Sequence, residues 1–137
     1  MTLRLAFGTV KGYMEDGKPV PPWTTIAGAY KHEAAHGAKG DWKLPESWHN
    51  NRDKLKMETP FNFVCTADII GGNSGSPVIN KDAELVGVIF DGNIQSLTSD
   101  YFYSDQQGRA TSVHSSVILE SLRKVYKAEG LANEIGN

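Results

Sequence analysis

The sequence has a single cysteine, no long apolar run and no excess of basic residues. Cys65 alone rules out a disulfide within the chain and a zinc cluster built from cysteines. No apolar run approaches the roughly 20 residues that a membrane-spanning helix needs, so no membrane span is expected. The 14 Lys and Arg residues are scattered among 16 Asp and Glu residues, whereas nucleic-acid binding requires a concentrated basic surface. The net charge of −2 therefore indicates that nucleic acid is not a partner.

The residues that are present are typical of one ordinary globular domain. The 137 residues are 39% hydrophobic and 22% charged, a composition that can bury a modest core. The first seven residues lack the charged, apolar and small-residue regions of a signal peptide. They begin instead in a strand-like pattern, with Leu3, Leu5 and Phe7 on one face. This abrupt start suggests that polypeptide is missing upstream.

Hydrophobic periodicity predicts a mainly β chain with three helices. Thr24 or Thr25 can cap the first helix, and Gly37 can close it. Two β-branched runs around a short polar turn predict a buried hairpin, and apolar residues at helical spacing predict a C-terminal helix. The predicted elements are a strand over 2–10, a turn at Asp16-Gly17, helices over about 26–36 and 45–55, a strand over 61–66, a hairpin of 78–79 with 85–90, a short strand over 101–103 and a helix over about 115–128.

The chemically informative segment is the glycine-dense run from Gly71 to Pro77, with Ser74 at its centre. A serine hydroxyl is a poor nucleophile unless a base removes its proton and the resulting oxyanion is stabilised. Glycines on both sides of Ser74 allow a tight turn in which the amides of Gly72 and Ser74 converge on one carbonyl oxygen. Ser74 is therefore the candidate nucleophile, and the amides of Gly72 and Ser74 are the candidate oxyanion hole.

Other loops of similar composition fit this segment less well. A phosphate-binding loop requires Gly-Lys-Ser or Gly-Lys-Thr, and the segment contains no lysine. The hydrolase nucleophile elbow requires glycine two residues after the serine, where this chain has Ser76. A Gly-Ser turn without catalytic function remains the alternative. The predicted hairpin directly after the turn favours a chymotrypsin-like peptidase, in which the nucleophile precedes such a strand pair.

Further runs, spread over nearly the whole chain, match one family in that family's order. They are Leu3-Arg4-Leu5, residues 7–13, Pro21-Pro22, residues 59–64, residues 68–77, Leu85-Val86-Gly87 and residues 90–95. Together they resemble the bacterial dipeptidyl-peptidase 7/11 family of chymotrypsin-like serine peptidases. The resemblance implies that residues 1–137 form a single C-terminal segment of the catalytic domain. The expected fold is the C-terminal half of a chymotrypsin-like double β-barrel, an incomplete barrel with two short helices before the nucleophile and a C-terminal helix.

The resemblance also implies an activity, namely the removal of dipeptides from free N-termini without a cofactor. It assigns the nucleophile to Ser74 and the oxyanion-hole amides to Gly72 and Ser74. Asp91 matches a carboxylate that pairs with the substrate's α-ammonium group, a contact that fixes the N-terminus relative to Ser74. A turn aspartate before Gly92 is the alternative role. Gly92 matches the position where relatives that prefer acidic residues before the cleaved bond carry arginine, so a hydrophobic or broad preference is expected.

The chain departs from the family pattern in two places. Cys65 stands where relatives often have serine, and a single buried thiol in a strand is the expectation there. Residues 113–116, Val-His-Ser-Ser, replace a segment that usually carries Asp and Arg. Neither change involves Ser74.

The histidine and aspartate of a serine-protease triad have no matching positions in this chain. Such triads run His, Asp, Ser along the sequence, and the 73 residues before Ser74 are too few for a complete first barrel. His32, His36 and His49 are local residues that should not be promoted to fill this role. The expected partner is therefore a missing N-terminal barrel, and the isolated chain is predicted to be inactive.

Two rival functions remain open at this level. His32-Glu33-Ala34-Ala35-His36 is formally an H-E-x-x-H zinc signature, but the longer zinc-peptidase pattern is absent, and a surface helix without metal is the favoured interpretation. A non-catalytic peptide-binding or scaffolding module would have the same sequence features. Exposed strand edges in a half-domain also predict a homo-oligomer. A periplasmic or envelope location is implied by the resemblance alone.

Overall fold

The computed structural model describes residues 4–136, which divide into two compact units. The first unit contains residues 4–23 and 62–114, and the second contains residues 24–61 and 115–136. All four predicted site residues lie in the first unit, so its strands decide the geometry of the candidate site.

A small hairpin opens the first unit. Strands β1 (Tyr13–Glu15) and β2 (Lys18–Val20) pair antiparallel. Asp16 and Gly17 between them have φ values of 49° and 75°. Aspartate and glycine tolerate this left-handed conformation, which two-residue hairpin turns require. The turn predicted at these two residues is confirmed.

The larger sheet carries the candidate site. Its strands are β3 (Trp23–Thr25), β4 (Pro60–Cys65), β5 (Pro77–Ile79), β6 (Leu85–Gly92) and β7 (Ala110–His114). The spatial order is β3-β4-β7-β6-β5, with antiparallel pairing of β4 to β7, β7 to β6 and β6 to β5. The predicted hairpin is therefore β5 with β6, and the strand predicted over 61–66 is β4.

The core of the first unit lies on one face of this sheet. Cys65, Ile89 and Ala110 form a buried cluster, against which Ala67, Ile69 and Val78 pack. The Cys65 thiol is buried and free, which confirms the expectation of a thiol within a strand. This cluster holds the middle strands together and leaves the ends of β5 and β6 accessible.

Helices dominate the second unit. The predicted first helix is α1 (Ile26–Ala35), and the Thr25 hydroxyl accepts a hydrogen bond from the Gly28 amide at 3.2 Å, as an N-cap does. Gly37 follows the helix with a φ of 70°, the conformation that ends many helices. The remaining helices are α2 (Glu46–His49), α3 (Ser115–Lys124) and α4 (Glu129–Ile135).

Four predicted elements need correction. The strand predicted over residues 2–10 is the first. Residues 2 and 3 lie outside the described part, and residues 4–9 are not a strand. Leu5 and Phe7 are 80% and 84% exposed, so no sheet packs against their alternating side chains. The helix predicted over 45–55 divides into α2 and a 3-10 helix over Arg52–Lys54, because the Asn51 side chain donates to the Ser47 carbonyl and competes with the helical ladder.

The other two corrections lie after Ser74. Residues 101–103 form no strand, since Tyr101 is 96% exposed and has no pairing partner. The C-terminal helix ends at Lys124 rather than near residue 128, and α4 follows it as a separate helix. Strand β7, at the centre of the larger sheet, has no counterpart in the prediction.

At the level of fold class, the chain is mainly β with helices, as predicted. The sheets formed by residues 4–136 are open, and they do not close into a barrel. Over the same residues, the helices are all too short or too polar to cross a membrane.

Candidate active site

Two glycines give the loop around Ser74 its shape. Gly72 and Gly75 have φ values of 104° and 86°, which side-chain-bearing residues rarely adopt. Asn73 braces the turn, since its side-chain oxygen accepts from the Ile70 amide at 3.0 Å and its own amide donates to the Ile70 carbonyl at 3.2 Å. The sequence therefore forms a rigid loop with Ser74 at its outer end, as the glycine spacing predicts.

Strand β6 fixes this loop in place. The Gly75 amide donates to the Ile89 carbonyl at 2.8 Å, and the Ile89 amide donates to the Ser76 carbonyl at 3.1 Å. These reciprocal bonds extend the β5–β6 pairing up to the residue that follows Ser74. The nucleophile candidate is thus mounted on the sheet rather than on a free loop.

The Ser74 hydroxyl is exposed and points toward a bulge in β6. It donates to the Phe90 carbonyl at 3.0 Å. Phe90 is the extra residue of the bulge, because Ile89 pairs with Ser112 whereas Asp91 pairs with the preceding residue, Thr111. The carbonyl that holds Ser74 belongs to the peptide bond directly before Asp91. The structure therefore brings Ser74 and Asp91 to one place on the surface.

Two amides of the loop are open to solvent. The Gly75 and Ser76 amides donate to protein carbonyls, whereas within residues 4–136 the amides of Gly72 and Ser74 have no hydrogen-bond partner. Both Gly72 and Ser74 are exposed. Backbone N–H groups left unpaired at an exposed turn are available to donate hydrogen bonds to a negatively charged oxygen.

The Asp91 carboxylate also faces solvent. One of its oxygens, Oδ1, accepts the Gly92 amide at 2.8 Å. The other oxygen has no hydrogen bond from any residue in the described range, and no ion pair neutralises the carboxylate there. An exposed carboxylate without an ion-pair partner can receive a cationic group of a ligand.

Asn93 clamps the end of β6 to the start of β7. Its amide donates to the Arg109 carbonyl at 2.9 Å, and its side-chain oxygen accepts the Arg109 amide at 2.8 Å. Its side-chain nitrogen donates to the Gln107 carbonyl at 2.7 Å. Sequence reasoning found no role for Asn93 beyond a turn. The structure shows that it fixes the segment that carries Asp91 and Gly92.

Arg109, also missed by sequence reasoning, is the buried anchor of this region. Its side chain is 1% exposed, and no carboxylate of the described residues pairs with it. The guanidinium donates instead to the carbonyls of Lys11, Gly12, Asp105 and Gly108 at 2.6–2.8 Å. One residue therefore ties the segment before β1 to the loop before β7. No sequence pattern around residue 109 signals this role.

The first unit also has an open cavity of about 790 Å³, but Ser74 and Asp91 do not line it. Its walls come from the β1–β2 hairpin, the Pro21-Pro22 stretch, the Gln106-Gln107 loop and Arg109. The Arg109 donors in this region are already bonded to backbone carbonyls, and Lys11 also lines the cavity.

Among the described residues, no histidine contacts the Ser74 hydroxyl, whose bond goes to Phe90. His114 lies on β7 opposite Gly87, with its ring edge-on to Phe63 at 5.7 Å between centroids. Burial lowers the pKa of His114 below its ordinary value of 6.5. His114 is therefore a half-buried residue of the sheet whose ring packs against Phe63.

The H-E-x-x-H segment of α1 has a structural use. Glu33 is 5% exposed, and its Oε1 accepts the Leu44 amide at 2.8 Å and lies 3.0 Å from His49 Nε2. His32 and His36 are exposed instead. A metallopeptidase glutamate must reach metal-bound water, whereas this carboxylate holds the 3-10 turn before α2. Over residues 4–136, no three His, Cys, Asp or Glu side chains form a group that could hold a metal ion.

Comparison with known proteins gives consistent relatives. The Peptidase S46 family model matches residues 1–137. The Asp/Glu-specific dipeptidyl-peptidase of Shewanella putrefaciens is 32% identical over 98% of the chain and 22% of its own length, and dipeptidyl-peptidase 7 of Phocaeicola vulgatus is 32% identical over 98% and 20%. The crystal structure of Porphyromonas endodontalis DPP11 with the dipeptide Arg-Glu matches with a TM-score of 0.87 and 26% identity, covering 98% of this chain and 20% of that one. The chain thus spans about a fifth of the length of these relatives.

Proposed function

Because the chain belongs to the Peptidase S46 family, we propose that it is the nucleophile-bearing part of a serine dipeptidyl peptidase, with Ser74 as the nucleophile. One observation carries the proposal: the exposed Ser74 hydroxyl bonds to the Phe90 carbonyl, one peptide bond from Asp91. Release of dipeptides requires a nucleophile and an N-terminal anchor in the same part of the surface, so that only two residues of substrate fit between them. Names of the relatives support dipeptide release as the reaction.

The proposed mechanism divides the work between the loop and the bulge. Ser74 attacks the carbonyl of the second substrate residue and gives its proton to the base supplied by the rest of the enzyme. The open amides of Gly72 and Ser74 stabilise the oxyanion, a contribution of about 3–4 kcal/mol per donor in related chemistry. The base then passes the proton to the leaving amine as the peptide bond breaks, and water releases the dipeptide from Ser74. Asp91 pairs with the α-ammonium group. An extended chain covers roughly 3.5 Å per residue, so anchoring of the α-ammonium group at Asp91 would limit the substrate stretch that reaches Ser74 to a dipeptide.

Gly92 sets the proposed preference at the residue before the cleaved bond. The Asp/Glu-specific relative and dipeptidyl-peptidase 7 are both 32% identical to this chain, so overall similarity does not decide between them. Gly92 has no positive charge to pair with an acidic side chain. A hydrophobic or broad preference follows.

The catalytic base and its aspartate are proposed to come from other polypeptide, the N-terminal barrel of the parent enzyme. The Ser74 hydroxyl bonds to a carbonyl and not to a histidine in the described range, and a serine without a base keeps only the contributions of oxyanion binding and substrate binding. We expect the isolated chain to release fluorophore from dipeptidyl substrates at a rate indistinguishable from its Ser74→Ala variant. Strong turnover that Ser74→Ala abolishes would overturn this expectation.

The remaining parts of the proposal depend on the family relationship. They are completion of a chymotrypsin-like double β-barrel by the rest of the enzyme and a periplasmic or envelope location. Self-association is proposed separately, from the open strand edges of the larger sheet. The second candidate function, a peptide-binding module without catalysis, is favoured by the open Asp91 carboxylate next to a serine that lacks a base. Peptide binding without turnover in the complete enzyme would select it.

A further inference from the structure

We propose that Ser96 is a second specificity-determining residue, which keeps position 92 free of a side chain. This inference rests on the proposed function of Gly92 as the position that sorts acidic from hydrophobic substrates. Ser96 lies in the 3-10 helix over Ile94–Asp100, directly after the β6 segment that carries Asp91 and Gly92. No sequence motif marks Ser96, and its proposed role follows from the space around Gly92.

A side chain at position 92 would meet one atom of Ser96. A Cβ built on Gly92 lies 2.3 Å from Ser96 Oγ, whereas Ser96 Cβ is 3.4 Å away and the Arg109 carbonyl oxygen 3.5 Å away. Contacts below 3.0 Å are essentially never made by real Cβ atoms. The backbone at Gly92 is outside the left-handed region, so any residue could adopt it. The Ser96 hydroxyl oxygen is therefore the single close obstacle.

Hydrogen bonds hold the Ser96 hydroxyl in the space that a side chain at position 92 would occupy. It donates to the Asn93 carbonyl at 2.7 Å, and the Ser96 amide donates to the same oxygen at 2.9 Å. Asn93 itself is clamped to Gln107 and Arg109. Rotating the hydroxyl away from position 92 gives up the 2.7 Å bond, while the backbone of Ser96 stays in place.

Two positions, and not one, then decide the charge of this subsite. An arginine at position 92 can turn toward an acidic substrate side chain only after the hydroxyl of Ser96 has moved or been removed. In this chain Ser96 holds the subsite in its uncharged form. A Gly92→Arg change alone should fail to create an acidic preference, and Ser96→Ala should permit it, because alanine keeps the Cβ at 3.4 Å and removes the oxygen at 2.3 Å.

The experiment compares five variants of the 137-residue chain with the unchanged chain. They are Gly92→Arg, Ser96→Ala, the double variant of these two, Ser99→Ala as a matched control in the same 3-10 helix, and Gly92→Arg combined with Ser99→Ala. Melting temperature reports the steric conflict, and NMR titration with leucyl-glutamate and leucyl-phenylalanine reports the preference. We expect Gly92→Arg to lower the melting temperature without a gain for leucyl-glutamate. The double variant should recover the melting temperature and favour leucyl-glutamate by about tenfold more than the unchanged chain, as one ion pair of ~1.4 kcal/mol does. Combined with Ser99→Ala, Gly92→Arg should recover neither.

Each opposite result has a separate meaning. A full acidic preference in Gly92→Arg alone, at an unchanged melting temperature, would overturn the role of Ser96. Thermal recovery in the double variant without any change of preference would instead overturn the assignment of Gly92 to the substrate site, and with it the proposed function. If Gly92→Arg does not fold, Gly92→Ala with and without Ser96→Ala repeats the steric test, and additive changes in melting temperature would refute the conflict.

Discussion

Replacement of Arg109 by methionine should destabilise the chain by about 3 kcal/mol. The guanidinium makes four hydrogen bonds of 2.6–2.8 Å to carbonyls, and methionine keeps the packing of the stem while removing every donor. Bonds from a charged donor contribute roughly 1.5–3 kcal/mol each when their partner stays buried. Lys11 and Asp105 are exposed, so water can replace two of the four bonds. The half-buried carbonyls of Gly12 and Gly108 then account for about 1.5 kcal/mol each.

Urea denaturation of the 137-residue chain measures this loss as a shift of the transition midpoint at unchanged slope. Arg109→Lys should recover only part of it, since an ammonium group presents its donors from one point and cannot reach four carbonyls on two segments. Arg123→Ala is the matched control, because Arg123 makes an exposed ion pair with Glu129 at 3.7 Å and an exposed 3.4 Å hydrogen bond to Asn133. Its loss should stay below about 0.5 kcal/mol. A loss at Arg109 no larger than this control would refute the anchoring argument.

Two further predictions concern Asp91 and His114. Asp91→Asn should weaken binding of a free dipeptide in an NMR titration by roughly tenfold, the effect of ~1.4 kcal/mol. Binding of the N-acetylated dipeptide, which is already weak, should not change. Equal losses for both peptides would contradict an α-ammonium contact. Because burial lowers the pKa of His114, the unfolded chain binds more protons just below pH 6.5 and stability must fall as the pH is lowered through that value. In the His114→Gln variant, the unfolding midpoint should depend less steeply on pH between pH 7 and pH 5, a range of about two units around the ordinary histidine value. A pH dependence as steep as that of the unchanged chain would count against the burial effect.

Local chemistry made part of this structure predictable from sequence. The Thr25 cap, the Gly37 stop and the turn around Ser74 each depend on residues within a few positions of one another, and the structure has all three. Left-handed glycines leave few alternatives for a loop such as 71–75. The loop directly precedes β5 in the sequence, so its position next to the β5–β6 hairpin could also be predicted.

The missed features all depend on partners far along the chain. Strand β7 is short and weakly alternating, and it is a strand because β4 and β6 pair with both of its edges. Arg109 bonds to Lys11 and Gly12, almost a hundred residues away. The strand predicted around Leu5 was wrong in the opposite sense. The apolar residues alternate there, but Leu5 is exposed and no neighbouring strand pairs with this segment. Tertiary context, which a single sequence does not display, decided each case.

The extra residue at Phe90 makes the spacing of β6 intolerant of insertion and deletion. Successive side chains of a strand alternate between faces, so a change of one residue between Gly87 and Asp91 would send the aspartate to the opposite face of the sheet. The same change would also turn a different carbonyl toward Ser74. The exposed β5–β6 turn over residues 80–84 has no such constraint and can vary in length. Among functional members of this lineage, length variation between β5 and the end of β6 should therefore fall in that turn and be absent from the stretch 87–92.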